Sequence, residues 1–230
     1  MNDFSAFITG TDTGVGKTLV TCAIIRYLIH NGNFALGMKP VASGMLFKNG
    51  SYYSEDTEAI VKAGRIKLPS DLVTPFMLKL PIAPHIAAEI EESVISWPLV
   101  SVSYQQIARQ ADSVIVEGAG GFRVPLGDGY DTADLAVQFG LPVILVVGLR
   151  LGCISHALLT AEAISARQLT LAGWVANQID PSMPYVEENI ATLEERIPAP
   201  RLATIPFLDD PDTHDVTQYF DLTRFQRKQF

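Results

Sequence analysis

Cysteine is scarce in this 230-residue chain, with Cys22 and Cys153 the only two. Two thiols cannot build the disulfide framework of a small secreted domain, and neither stands at a metal-binding spacing. Basic residues are also short: 17 Lys and Arg face 25 Asp and Glu, a formal net charge of −8. A chain of that sign does not wrap nucleic acid by bulk attraction. Long apolar runs are missing. The longest, Pro142 to Leu149, falls far short of the roughly 20 residues that a bilayer span needs. Met1-Asn2-Asp3 opens no basic-then-apolar leader. The expectation is a cytoplasmic protein in a reducing compartment, with no nucleic-acid or membrane partner. Internal repeats, low-complexity tracts and charge blocks are absent as well, which favours one continuous architecture.

What the chain does have is apolar content. The aliphatic, aromatic and cysteine residues make up 48% and charged residues only 18%, enough for a sizeable core. Short runs rich in β-branched residues recur at 6–9, 35–38, 113–116, 142–147 and 171–176, each reading as a strand buried on both faces. Between them the period turns helical. Val20, Ala23, Ile24, Tyr27 and Leu28 place one apolar stripe on a helix from about Lys17 to His30, closed by Asn31-Gly32. Ser155 to Arg167 behaves likewise, as do Val186, Ile190, Leu193 and Ile197. Strands separated by crossover helices predict an α/β single domain over 1–230, a mostly parallel sheet with helices on both faces. Prolines at 69, 75, 81, 84 and 98 interrupt residues 64–103, which read as an irregular excursion with one short helix near Pro84 to Glu92. The basic cluster Arg224-Phe225-Gln226-Arg227-Lys228 reads as a solvated terminus.

In parallel sheets ligands bind beyond the carboxyl ends of the strands, so the residues following each run matter most. The first run is followed by Gly10-Thr11-Asp12-Thr13-Gly14-Val15-Gly16-Lys17-Thr18, leading straight into the amphipathic helix. Strand, glycine-containing loop and helix N-terminus gather backbone N–H groups and a positive dipole end around one point, an anion site suited to phosphates. Lys17 would reach the β/γ-phosphates and the Thr18 hydroxyl would ligate Mg²⁺. The strict phosphate-loop pattern places its first glycine at position 11; this chain has Thr11, and its glycine is at 10. Lys39, in Lys39-Pro40-Val41-Ala42-Ser43-Gly44, would add a second cation where charge develops in phosphoryl transfer, or simply cap a strand. Asp56, in Ser54-Glu55-Asp56-Thr57, is a metal ligand or an ordinary helix-capping acid. Glu117, followed by Gly118-Ala119-Gly120-Gly121, sits where a Walker-B-type carboxylate holds Mg²⁺, the alternative being a carboxylate satisfied by its own loop. Further on, Arg150-Leu151-Gly152-Cys153-Ile154-Ser155 is either a second helix N-terminus for a carboxylate or an ordinary cap at Ser155. Asn177 reads a base edge or turns the chain. His85 and His156 lack any partner at a metal-ligand spacing.

Together with Ala83-Pro84-His85, Val146-Val147-Gly148, Gly173-Trp174-Val175-Ala176-Asn177 and Ile205-Pro206-Phe207-Leu208, these segments resemble the dethiobiotin synthetase family over most of the chain. That family's phosphate loop also begins Gly-Thr-Asp-Thr, which accounts for the misplaced glycine. The resemblance implies a fold of P-loop NTPase type. It also implies an ATP- and Mg²⁺-dependent ligase of biotin biosynthesis that converts 7,8-diaminononanoate and CO₂ to dethiobiotin, ADP and phosphate. It implies catalytic roles for Lys17 and Lys39, and a metal held by Thr18, Asp56 and Glu117. Nucleotide contacts would come from Gly14, Val15, Gly16, Lys17, Thr18, Leu19, Asp56, Glu117, Gly118, Ala119, Gly120, Asn177, Gln178, Pro206, Phe207, Leu208 and Asp212. Thr11, Lys39 and Ser43 would face the diamine, and Gly152, Cys153, Ile154 and Ser155 of a second subunit its distant carboxylate, which requires a homodimer. The chain departs from the family at Gly14, where an acid often stands, at Arg150 in place of Lys, at Ser155 in place of Asn, and at Gly121-Phe122-Arg123-Val124 in place of an apolar run.

Overall fold

The computed structural model describes residues 4–48, 50–211 and 214–225. In chain order the elements are β1 (Ala6–Gly10), α1 (Lys17–His30), β2 (Ala35–Met38), β3 (Val41–Ser43), β4 (Leu46–Lys48), β5 (Ser51–Tyr53), α2 (Glu55–Ala63), α3 (Ser70–Val73), β6 (Phe76–Leu78), α4 (Pro84–Ile90) and α5 (Trp97–Ala108). There follow β7 (Ser113–Gly121), β8 (Pro125–Gly127), β9 (Tyr130–Asp131), α6 (Thr132–Phe139), β10 (Val143–Leu149), α7 (Cys153–Ala166), β11 (Leu171–Gln178), α8 (Val186–Arg196) and β12 (Arg201–Ile205). Six strands form one sheet in the order β2-β7-β1-β10-β11-β12, and every pairing within it is parallel. β1 therefore lies inside the sheet, and the loop leaving it emerges between the tips of β7 and β10, where the connections change direction.

The continuous apolar runs are explained by burial on two faces. Along β10, Leu145, Val147 and Leu149 join a core closed by α7 and α8 through Cys153, Ala157, Ile190 and Leu193, whereas Ile144 and Val146 turn into the larger core that α1 covers. Period-2 alternation with both faces apolar leaves no polar register, so hydropathy alone hides which side each residue takes.

The sequence misses three elements of this frame: α5, α6 and β12. The reason for α5 is instructive. Pro98, read as a breaker, occupies the first turn of the helix, where its missing N–H costs nothing, and Ser96 Oγ accepts from Leu99 N–H at 3.5 Å. Pro84 likewise opens α4 at the expected place. The excursion is thus more ordered than one short helix, since β6 within it pairs with β3. At the other end, Phe225 is not simply solvated: its ring lies 4.1 Å from that of Phe4. Residues 226–228 of the same basic cluster lie outside the described residues.

Candidate functional site

The loop after β1 is shaped by left-handed glycines at its crest and end, Gly14 at φ 75° and Gly16 at φ 89°. Gly16 is the residue before α1, and a Cβ there would stand 2.2 Å from Asn177 Nδ2. Glycine is required twice over, by the torsion and by the approach. Asn177 uses that proximity: its Nδ2 donates to the Val15 carbonyl at 2.9 Å, bracing the loop from β11. On the other side Arg150, at the end of β10, donates to Asp12. The Thr13 backbone N–H is the main cause, with Arg150 adding to it against the effect of burial, that holds the Asp12 carboxyl below its usual range.

Lys17 begins α1, buried, and its Nζ donates to the Asp12 carbonyl at 3.1 Å. Burial pulls its ammonium below the ordinary lysine range, with nearby Glu117 opposing. Thr18 Oγ1 donates to Glu117 Oε1 at 2.9 Å. Glu117 is fully buried and lies within β7 rather than at its end, because the strand runs on through the glycines to Gly121. Lys39 leaves β2, its Nζ 2.8 Å from Glu117 Oε1 and in a short contact with Asp56 Oδ2. Burial alone would lower the Lys39 pKa; the two carboxylates more than reverse this and raise it. Asp56 shows the mirror image, pushed up by burial and pulled further down by Lys39. Asp56 lies in the first turn of α2, as an acid at a helix N-terminus should, but it is not the cap. Ser54 Oγ caps α2 by accepting from Thr57 N–H at 3.3 Å, and the Asp56 carboxylate is spent on Lys39.

Four side chains from four segments, Thr18, Lys39, Asp56 and Glu117, therefore meet at one point beside Lys17. Among the described residues Glu117 Oε2 is buried with no hydrogen-bond partner. A buried carboxylate oxygen left open, beside a hydroxyl and a second carboxylate, is a hard-oxygen donor set that fits Mg²⁺ with nucleotide phosphates completing its coordination. Among the described residues no group of three or more His, Cys, Asp and Glu side chains is placed to hold a metal ion, so the metal reading rests on these three oxygens. They open into a cleft of about 890 Å³, lined by Thr13, Gly14, Gly16, Lys17 and Thr18 of the phosphate loop, Lys39, Ser43, the Pro81–Pro84 segment, Ala119 and Gly120. Ser43 Oγ is buried and unpartnered in it. A second cleft of about 720 Å³ shares Thr18 and Asp56 and continues over Leu19 along α1.

The remaining expected residues are distributed as follows. Thr11 and Gly118 line neither cleft, Thr11 N–H donating to Val146 O at 3.0 Å and Gly118 lying against Phe7 of β1. Asn177 and Gln178 end β11, and Pro206, Phe207 and Leu208 leave the adjoining tip of β12. Gln178 Nε2 donates to Asp180 O at 3.4 Å. Asp212 lies outside the described residues. Gly152, Cys153, Ile154 and Ser155 line neither cleft. The α7 cap is Gly152 at φ 95°, three residues before the cap considered at Ser155, and Cys153 is buried while Gly152 and Ser155 are exposed. Sequence reasoning missed the Asp12–Arg150 pair and the cleft walls Val41, Ala42 and Pro81–Pro84; the Ala83-Pro84-His85 segment was the available signal for the last.

A phosphate loop opening a helix at the crossing point of a parallel sheet, faced by a lysine, a threonine and two acids, defines a P-loop nucleotide-binding α/β protein. The septum site-determining protein MinD complexed with Mg-ADP, from Pyrococcus horikoshii, shares this fold at a TM-score of 0.52. It is 16% identical, over 92% of this chain and 83% of that one. A family model described as an AAA domain matches residues 5–214. The ATP-dependent dethiobiotin synthetase BioD of Aromatoleum aromaticum is 52% identical over 210 residues, 91% of this chain and 93% of that protein. The chain belongs to the dethiobiotin synthetase family.

Proposed function

We infer that the protein is an ATP-dependent cyclo-ligase of biotin biosynthesis that joins CO₂ to 7,8-diaminononanoate and closes the ureido ring of dethiobiotin, releasing ADP and phosphate. Its family membership supports the reaction. The observation that carries the chemistry is the convergence of Lys17, Thr18, Lys39, Asp56 and Glu117 on one point beneath the phosphate loop.

In this reading one amine adds to CO₂ and loses a proton to give a carbamate. A carbamate oxygen then attacks the γ-phosphorus with ADP leaving, and the second amine attacks the carbamoyl carbon, expelling phosphate. An anion attacking an anion needs neutralisation and alignment more than a strong base. Loop N–H groups and Lys17 hold the β/γ-phosphates, and Lys39 lies where the transferred group develops charge. Thr18, Asp56 and Glu117 would hold Mg²⁺, which when bound neutralises phosphate charge. Lys39 bridges the two acids. Ser43 faces the diamine, its hydroxyl being buried and still seeking a partner, and Thr11 is assigned there by the family likeness alone. Asn177, Gln178, the 206–208 turn and Asp212 would hold adenine.

The reading includes a homodimer, with Gly152, Cys153, Ile154 and Ser155 of one subunit receiving the carboxylate of substrate bound to the other. Supporting this, Leu151 is 94% exposed and Leu159 on α7 is 62% exposed, an apolar surface beside the segment concerned. A cytoplasmic location and the absence of nucleic-acid or membrane partners complete the reading. No helix among the described residues is long and apolar enough to cross a membrane. The test is ATP consumption with bicarbonate, with and without diaminononanoate. ADP release should depend on the diamine; release indifferent to it refutes the ligase assignment.

A further inference from the structure

The chemistry above leaves one cation of the cleft without a task. Arg123 lies in the turn between β7 and β8 and lines the same cleft as Lys17, Lys39 and Ser43. Its backbone is fixed on both sides by one residue. Thr132 Oγ1 donates to the Phe122 carbonyl at 2.6 Å and accepts from Val124 N–H at 3.1 Å, while Thr132 N–H donates to the Val124 carbonyl at 3.0 Å. Phe122 is buried, anchoring the turn further.

The side chain is tethered as well. Arg123 Nε donates to Asp131 Oδ2. Asp131 is not free to follow a moving arginine. Its Oδ1 caps α6, accepting from Ala133 N–H at 2.9 Å and Asp134 N–H at 3.2 Å, and Arg167 approaches Oδ2 from α7 at 3.4 Å. Among the described residues no hydrogen bond engages either terminal nitrogen of Arg123, and the side chain is 57% exposed. The other two cleft cations are committed, Lys17 to its own loop and Lys39 to two carboxylates. Arg123 is thus a guanidinium tethered at Nε with its fork open, the geometry that receives a planar O–C–O anion through two parallel bonds.

We propose that Arg123 binds a carboxylate-type anion of the amino-acid substrate within this cleft. That chemistry has two sources on the one substrate, the carbamate formed on its amine and the carboxylate at its far end. The proposal rests on the ligase reading and adds a contact that the family resemblance does not supply.

The experiment compares wild type, Arg123→Ala, Arg123→Gln and Arg123→Lys in steady-state ADP release with ATP and bicarbonate. One arm uses 7,8-diaminononanoate. The other uses 2,3-diaminononane, the same vicinal diamine with a methyl group replacing the carboxylate. Loss of a charge-assisted pair should lower kcat/KM for diaminononanoate about 10- to 100-fold in the Ala and Gln variants, with KM for ATP within about twofold and unchanged melting temperature. Lysine should restore only part, because a point charge cannot reproduce the fork. A loss that disappears with 2,3-diaminononane assigns Arg123 to the far carboxylate, in place of the second subunit's 152–155 segment; a loss of equal size on both diamines assigns it to the carbamate. Unchanged kinetics, or a change confined to KM for ATP, overturns the proposal. Wild-type ADP release indifferent to either diamine is a separate outcome, which removes the ligase reading and this inference with it.

Discussion

Replacing Lys39 by methionine removes the ammonium while keeping most of the aliphatic stem, so the consequences report on charge. In the folded protein that ammonium faces Glu117, which is fully buried, and Asp56, whose side chain is 47% exposed. Asp56 can be solvated when its partner goes and contributes little to the cost. Glu117 cannot. Removing one member of a buried pair costs about 3–5 kcal/mol. At about 2–4 °C per kcal/mol for a chain of this size, the melting temperature should fall by on the order of 10 °C. Mg²⁺ should raise the melting temperature of Lys39→Met more than that of wild type, because the variant lacks its own counter-charge. Adding Glu117→Gln should recover most of the stability, the two losses being far from additive. Turnover should still fall by about 10²-fold or more in both variants, while ATP affinity, resting on Lys17 and the loop, stays within a few-fold. The assays are differential scanning calorimetry, coupled ADP release and nucleotide titration. A Lys39→Met variant that melts with wild type and turns over normally would show that the lysine is not the counter-charge of this site.

Gly16→Ala must force a left-handed torsion and displace Asn177 Nδ2, found 2.2 Å from the added carbon. At roughly 1–2 kcal/mol for the torsion alone, ATP should bind at least about tenfold more weakly by calorimetric titration, and undiminished affinity would refute the loop geometry. Asn177→Ala strips the 2.9 Å bond from the Val15 carbonyl; an unsatisfied buried carbonyl costs about 1–3 kcal/mol, to be read as a lower urea midpoint together with weaker ATP binding. Asp134 is pushed up by burial but held below 3.8 overall by the Asp131 N–H and the Arg167 guanidinium. Its contribution is complete above that value and lost as pH falls through the lowered pKa, so wild type should lose more urea stability than Asp134→Asn between about pH 5 and about pH 3. Leu151→Glu, at a 94% exposed position, should convert a dimer to monomer in sedimentation without altering the circular dichroism spectrum.

The parts legible in the sequence were those whose physics is local. The phosphate loop is a continuous stretch whose glycines, lysine and threonine are adjacent, and the helix after it has a clean apolar stripe. The five runs were legible because each is long and apolar enough to exclude other readings. β12 was not: Arg201 and Thr204 dilute it, and its place at the sheet edge lets them show. α5 was hidden by a proline that starts a helix rather than ending one. For the site, residue types at strand tips suggested Lys39 and Glu117, but their meeting with Asp56 depends on α2 packing on α1 and β2, information spread over about a hundred positions. Asp12 and Arg150 lie 138 residues apart and neither has a pattern that names the other.

The brace from Asn177 to the Val15 carbonyl joins residues 162 positions apart. β1 and its loop leave the ribosome well before the strand carrying that amide, and β7 and β10, the neighbours that hold β1 in place, also follow it by about a hundred residues or more. Long-range closure of this kind is slow and cooperative. The phosphate loop is therefore made long before it can acquire its working shape. A nascent or truncated chain ending before β11 would carry the complete nucleotide signature without a finished cradle, so half-built molecules would not compete with mature ones for cellular ATP.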